Sequence, residues 1–346
     1  MTERYLGSII TASPTEPSEG LENSLASGVW HIHDPLIFGQ AGDWPTAGRF
    51  APMALFFGGE ANSGMVNTID KINISSDGNA SDFGDLLAAG QNISGCCNGS
   101  RAIMMAGKSS SANATDVIQY VELPSNGNTQ DFGNLSLTTQ EGSGQLQNST
   151  RSLHAGGQTA SGFTNVIDKF NMASTGNATD FGDDTLTRFK HDSASNSTKG
   201  LIAGGANTSG TAQNVISSVV IASDGNAQDF GDLVATVETN GALANATRFL
   251  SFGGSASNDT ICFVTISSAG NASDFGDMTT GKGQVCGTAG ATRGIIASGY
   301  KSPPGNLDVI EKLNIASTGN STDFGDLSVA RTRAGALSSD NGGLQS

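Results

Sequence analysis

The apolar positions along the chain come in short runs, and the runs change period. A solid run such as Ile103-Met104-Met105, Leu201-Ile202-Ala203 or Ile295-Ile296-Ala297 is followed by an alternating one. Examples are Val166-Ile167-Asp168-Lys169-Phe170-Asn171-Met172 and Val309-Ile310-Glu311-Lys312-Leu313-Asn314-Ile315. Period two is the signature of a strand, because successive side chains point to opposite faces. In the first example it sets Val, Asp, Phe and Met on one face and Ile, Lys and Asn on the other. A Gly-Asn pair then ends the alternation, at Gly78-Asn79, Gly127-Asn128, Gly176-Asn177, Gly225-Asn226, Gly270-Asn271 and Gly319-Asn320. Glycine at a fixed place between two extended runs predicts a tight hairpin that needs φ > 0. The strand beyond it carries Asp-Phe-Gly and then Asp or Asn. Ahead of the solid runs lie small, polar stretches such as GCCNGS, GSGQLQNST and GQVCGTAGAT.

The whole unit recurs. Asp-Phe-Gly begins at Asp82, Asp131, Asp180, Asp229, Asp274 and Asp323, with spacings of 49, 49, 49, 45 and 49. A second marker, a glycine closing the solid run, stands at Gly59, Gly107, Gly157, Gly205, Gly254 and Gly299. From each Asp-Phe-Gly to the next marker is 25 or 26 residues, but the return interval runs from 20 to 24. The variation therefore sits just after the marker glycine. Four strands per unit and six units predict an all-β, six-bladed β-propeller over residues 50–346. The small, polar first strand suits the crowded central channel. The phenylalanines Phe83, Phe132, Phe181, Phe230, Phe275 and Phe324 are expected between blades. The first unit has no first strand of its own, whereas a small-residue strand from Arg333 to Ser339 is left over at the other end. The C-terminal strand is thus expected to complete blade one and remove the open edges.

Residues 1–49 stand outside the repeat as a short irregular segment. They hold both tryptophans, Trp30 and Trp44, and residues 11–24 have the Pro, Ser, Glu and Gly of a linker. Tryptophans without a core of their own must pack on something, either the propeller or another subunit. Composition then narrows the partners. Lys and Arg number 17 against 32 Asp and Glu, a net charge of −15, with no basic cluster. No nucleic-acid partner is expected and anionic membranes would be bound poorly, because phosphate contacts need clustered cations. No apolar run is long enough to insert in a membrane as a helix, and the N-terminus lacks the pattern of a signal peptide.

Candidate chemistry is sparse. Asp-Phe-Gly is also the magnesium motif of protein kinases, but six copies without a catalytic loop reject that reading. The segment from Asp77 to Asp82 departs from a calcium loop at its sixth place, and Asn and Asp there are expected to cap the hairpin's own backbone. Cys96, Cys97, Cys262 and Cys286 lack zinc-site spacing and read as buried thiols. His31 and His33 are too few for a closed zinc site. A cation opens the second strand at Arg101, Arg151, Lys199, Arg248 and Arg293, and a structural ion pair with fourth-strand carboxylates is expected. No catalytic constellation and no cofactor motif emerge. Recognition is expected in the loops between second and third strands, GEANSGMVN, GKSSSANATD, GQTASGFTN, GANTSGTAQN, GSASND and GYKSPPGNLD, all leaving one face. Tyr300 and Lys301, in the most distinctive of these, are the candidate binding residues.

With its near-50-residue period, a double glycine ending the second strand (Gly58-Gly59, Gly156-Gly157, Gly204-Gly205, Gly253-Gly254) and an aromatic on the fourth, the repeat resembles the kelch family of β-propellers. Units such as NVIDKFNMASTGNATDFGDD and the leader YLGSIITASPTEPSEG resemble structural and tail-fibre proteins of marine bacteriophages. That resemblance implies a non-enzymatic virion component at the phage tail or virion surface. It would contact other virion proteins through residues 1–49, with Trp30 and Trp44 as assembly residues, and a host surface receptor through the ring. It also implies an oligomer. A soluble carbohydrate-binding or glycosidase-like propeller is the alternative.

Overall fold

In the computed structural model the described residues are 52–254, 258–340 and 342, and every regular element among them is a strand. Residues 1–49, with Trp30, His31, His33 and Trp44, lie outside the described residues. Six four-stranded antiparallel blades follow one another along the chain. Five form separate sheets, and the sixth is part of a seven-stranded sheet that also takes in a small hairpin of blade 1. In blade 2 the strands run outward as Ser94–Cys97, Arg101–Met105, Thr115–Glu122 and Gln130–Thr139. The innermost strands of blades 1 to 6 are Gly335–Ser338, Ser94–Cys97, Ser143–Gln147, Asp192–Ser195, Gly241–Ala244 and Cys286–Ala289, each abutting the next in a closed circle. Blade 1 is completed from the far end of the chain. Gly335–Ser338 pairs antiparallel with Met53–Phe57, matching Ala54 to Ser338 and Phe57 to Gly335.

The core is divided by interface. Six apolar clusters lie between successive blades, and each contains one Asp-Phe-Gly phenylalanine. Phe181 of blade 3, for example, packs with Leu153 and Ile167 of its own blade and with Ile202, Val219 and Ile221 of blade 4. Because both faces of a blade are covered, the third strand is not simply two-sided. Ile167 and Asp168 are both buried, at a β-bulge against the fourth strand, where strict alternation would leave one exposed.

The Gly-Asn turn and the Asp-Phe-Gly strand prove to be two halves of one joint. The N–H of Gly225 donates to the Phe181 carbonyl at 2.9 Å, and the N–H of Ala227 to the Asp183 carbonyl at 2.7 Å. In return the N–H of Asp183 donates to Asn226 Oδ1 at 3.0 Å. All three bonds cross from blade 3 to blade 4. The same three recur at the other five junctions, with blade 6 joined to blade 1 through Gly78, Asn79 and Ala80. The asparagine therefore caps the neighbouring blade and not its own hairpin, as the local sequence suggested. Gly182 stands at φ +149°, and a Cβ on it would lie 2.6 Å from the Gly225 carbonyl carbon. Only glycine permits so close a backbone approach.

The strand-opening cations also cross the junctions, and their partners differ from expectation. Arg101, Arg151, Arg248 and Arg293 donate to the carbonyls of Met172, Ile221, Ile315 and Ile74 in the next blade. Their carboxylate partners are Asp224 and Asp77 in the following hairpin and Glu122 in a third strand, none of them on a fourth strand. Arginine reaches these turns because they are docked beside it, a proximity set by the ring and not by the repeat.

The joint makes a graded prediction. Asn226→Ala removes one hydrogen bond and should cost about 1 kcal/mol in urea unfolding. Gly182→Ala adds backbone strain and a clash, and should cost about 2–3 kcal/mol or more. Equal, negligible effects would show that the joint carries no stability.

Candidate functional site

The fourth strand of each blade leads into the first strand of the next through a turn on one face of the ring. Ten residues after each Asp of Asp-Phe-Gly, that turn holds a residue other than glycine in the left-handed conformation. These are Asn92, Glu141, Lys190, Thr239, Gln284 and Arg333, all with φ between 54 and 59°. Such residues cost of order 1–3 kcal/mol each and persist where the surroundings over-determine them. Here a belt of backbone bonds does so. Arg333 N–H donates to Gln284 O, Gln284 to Thr239, Thr239 to Lys190 and Lys190 to Glu141, and Asn92 N–H donates to Arg333 O. At the remaining junction the bond is between side chains, Asn92 Nδ2 to Glu141 Oε1 at 3.4 Å. The six side chains ring the mouth of the central channel.

Below each of these residues, two places earlier in the chain, sits a position that braces the turn against the next blade. Arg331 pairs with Asp70 at 2.8 Å and Lys282 with Glu311 at 2.9 Å, all four side chains fully buried. Arg188, also fully buried, forks onto Asp184 and reaches Ser217 at 2.7 Å. At the other junctions the bracing position is Gly90, Thr139 or Val237, and the third strand opposite carries Gln119, Asp168 or Cys262. The third-strand acceptor also takes an N–H from the exit of the preceding blade. Leu87 donates to Gln119, Ser136 to Asp168, Thr279 to Glu311 and Ser328 to Asp70. Burial works to raise the pKa of Glu311, but Lys282, the Ser321 hydroxyl and the Thr279 N–H outweigh it and the net shift is downward. Asp184 follows the same balance, with Arg188 overcoming burial.

The mouth opens into a cavity of about 130 Å³ that draws lining residues from all six inner strands or their entry turns. Gln145 helps close it by reaching across the ring from blade 3, its Nε2 donating to the Gly287 carbonyl of blade 6 at 3.0 Å. Asp192 lines the wall. Burial pushes its pKa up to about 7, against the N–H groups of Ser193 and Ala242 that bond its carboxylate. Glu141 is also raised by burial, with Lys190 and Arg333 opposing. His191 is lowered to about 3, by burial first and then by Arg188.

The loops between second and third strands rise beside this mouth. Glu60, Lys108, Gln158, Ala206 and Tyr300 each pair with the residue just before a left-handed position, namely Thr332, Gln91, Gln140, Phe189 and Gly283. Part of the loop of blade 5, residues 255–257, lies outside the described residues. Tyr300 is 44% exposed and Lys301 Nζ bonds the Thr280 hydroxyl. The two thus stand on the rim, tied by backbone bonds to the turn that carries Gln284. The six mouth residues were not found by sequence reasoning. Their signal was a fixed distance from Asp-Phe-Gly combined with a changing residue type.

Other candidates take structural parts. All four cysteines are buried, and burial pushes Cys97 up to about 12 and Cys262 and Cys286 up to about 11. Asp77 is held by Lys312 and Arg293, and Asp224 by Lys169 and Arg151, so cationic side chains occupy these two hairpins, whose sequence departs from a calcium loop. Among the described residues no three of His, Cys, Asp and Glu come together as a metal-ligand set. His154 is buried against the Thr139 hydroxyl.

These features define a β-propeller. No protein-family model and no curated protein matches the chain. Among solved structures, one titled "Structure of YjhT", itself a β-propeller, superposes with a TM-score of 0.59 at 9% identity. It covers 72% of this chain and 87% of that one. At that identity the likeness is one of fold.

The bracing pairs give a direct prediction. Arg331→Met leaves Asp70 buried without its cation and should cost about 3–5 kcal/mol. Adding Asp70→Asn, which removes the unpaired charge and keeps an acceptor for Ser328, should recover part of that loss in urea unfolding. A double variant no better than the single would contradict the pairing.

Proposed function

We propose that the chain is a non-enzymatic, kelch-like propeller serving as a bacteriophage virion component that contacts a host surface receptor. The observation that carries the recognition part is the mouth. A scaffold whose six units agree closely in their joints differs at six equivalent, strained positions: Asn92, Glu141, Lys190, Thr239, Gln284 and Arg333. Uniform scaffold with variable presented residues is the usual layout for binding. The rim residues Tyr300 and Lys301 extend the same surface. The virion part is supported by the resemblance of the repeat and leader to phage structural and tail-fibre proteins. Residues 1–49, with Trp30 and Trp44, would supply docking to other virion proteins and the oligomer.

One observation favours a carbohydrate-active propeller instead, namely two carboxyls on one cavity of which Asp192 is raised to about 7, as a general acid requires. The binding reading is preferred because the cavity wall carries no aromatic platform for a sugar ring.

The test is adsorption of the fluorescently labelled full chain to a panel of marine bacterial isolates. Saturable binding to at least one isolate is expected. It should fall at least tenfold in a Tyr300→Ala/Lys301→Ala variant and in a Glu141→Gln/Arg333→Gln variant, each with unchanged melting. Absence of adsorption, or adsorption indifferent to these changes, would overturn the reading.

A further inference from the structure

Four asparagines in the chain precede a glycine: Asn98, Asn126, Asn240 and Asn341. In such a pair the next amide nitrogen can reach the side-chain carbon Cγ, because glycine adds no Cβ to obstruct the approach. Asn341 lies outside the described residues. The other three differ in their surroundings. Asn240 is 5% exposed, and its Nδ2 is spent on the Ser251 hydroxyl and the Ala203 carbonyl, away from water. Asn126 is exposed, but the N–H of Gly127 belongs to the joint between blades 1 and 2 and donates to the Phe83 carbonyl at 3.0 Å. A nitrogen held there is not free to attack.

Asn98 is placed differently. It opens the turn between the first and second strands of blade 2, at the end of the ring away from the mouth. Its Oδ1 accepts from the Ser100 N–H at 3.2 Å, the Arg101 N–H at 2.8 Å and the Ser100 hydroxyl at 3.1 Å. Three donors on one carbonyl oxygen stabilise the negative charge that develops there when its carbon is attacked. Bonds to the amides two and three places ahead also fold the side chain forward over the amide between, that of Gly99. The Gly99 N–H is held only by Cys97 Sγ at 3.3 Å, a weak acceptor. Asn98 and Gly99 are half-buried and Ser100 is exposed, so water reaches the turn. The same cradle of two N–H groups and a hydroxyl recurs at Asn148, Asn196 and Asn245. There the next residue is Ser149, Ser197 or Ala246. Among the described residues only blade 2 combines the cradle with glycine.

We propose that Asn98 is a site of self-modification, converted to aspartate in the folded ring through a cyclic imide with Gly99. The Gly99 nitrogen bonds to Cγ of Asn98 and the Cγ–Nδ2 bond breaks. The Gly99 amide proton leaves with Nδ2 as ammonia. Water then opens the imide, its hydroxyl going to a carbonyl carbon and its proton to the nitrogen. Attack at Cγ gives aspartate, and attack at the backbone carbonyl gives isoaspartate. Water is the sole co-reactant. Aspartate suits the place, because a carboxylate accepts the same three bonds more strongly than an amide. Isoaspartate would add a backbone atom to a turn whose ends are fixed by the pairing of Cys97 with Ala102. The conversion adds one negative charge far from the mouth and does not depend on what the mouth binds.

Peptide mapping by mass spectrometry tests the proposal on the full chain, incubated for weeks at pH 8 either folded or in urea. In the folded protein Asn98 should lose ammonia at least tenfold faster than Asn126, with Asn148, Asn196 and Asn245 intact. In urea Asn98 and Asn126 should react alike, and Asn98 no faster than in the folded ring. Gly99→Ser, which gives blade 2 the residue found in blades 3 and 4, should stop the reaction at Asn98. Ser100→Ala, which removes one donor, should slow it several-fold. The comparison of Asn98 with Asn126 in the unaltered protein decides the matter if a variant does not fold. Asn126 keeping pace with Asn98 in the folded ring, Asn148 or Asn196 reacting as fast, or an Asn98 slower in the folded ring than in urea would overturn the proposal.

Discussion

The ring depends on the joint between the Gly-Asn turn of one blade and the Asp-Phe-Gly strand of the blade before it. A propeller blade is a small sheet with two apolar faces, and neither face is covered unless neighbours lie on both sides. Burial alone would let blades slide along one another, because apolar contact is not directional. The joint supplies direction. Two backbone bonds and one asparagine bond fix the height and angle of each blade against the last. They do so beside the phenylalanine that fills the interface, here Phe181. Glycine on the fourth-strand side of the joint, here Gly182, is what lets two backbones meet.

Fixing the blades fixes the mouth. Each fourth strand leaves its joint with a set orientation and arrives at the channel after the same number of residues. The turn there is held down by the belt of backbone bonds and, at most junctions, by the third-strand acceptor of the next blade or a bracing side chain. Only under such constraint can six residues other than glycine hold left-handed geometry. The buried pairs Arg331–Asp70 and Lys282–Glu311 show how one structural position can be met by different chemistries, with Val237 facing the Cys262 strand in the same role. Because the pairs differ from junction to junction, they also distinguish the interfaces of a nearly symmetric ring. The site thus inherits precision from the scaffold and variety from the positions that the scaffold does not use.

Much of the fold was legible because it is periodic. Alternation, turn glycines and a constant interval gave the four strands, the six blades and the closing strand Gly335–Ser338, since each depends on local pattern or simple counting. The six phenylalanines could be assigned to the interfaces for the same reason. What escaped was everything that depends on which residues meet across a junction. Asn226 reads as a local cap because nothing in the linear sequence says that Asp183 lies opposite. Arg151 reads as a partner for a fourth strand because the docked turn of the next blade is invisible from the repeat. The mouth residues escaped for a different reason. A repeat is recognised by what stays the same, and Asn92, Glu141, Lys190, Thr239, Gln284 and Arg333 share only a position. The loop carrying Tyr300 and Lys301 attracted notice through its composition, yet the left-handed positions beside it, Ser298 and Gln284, did not.

The central claim is that the joint, and not the hairpin itself, orders these turns. Native-state hydrogen exchange at the amides of Gly78, Gly127, Gly176, Gly225, Gly270 and Gly319 tests it most directly. These turns lie towards solvent, but each amide donates to a phenylalanine carbonyl of the preceding blade. The account predicts that all six exchange only with global unfolding, at the protection of the core strands. Exchange at the rates of an open surface turn would contradict it.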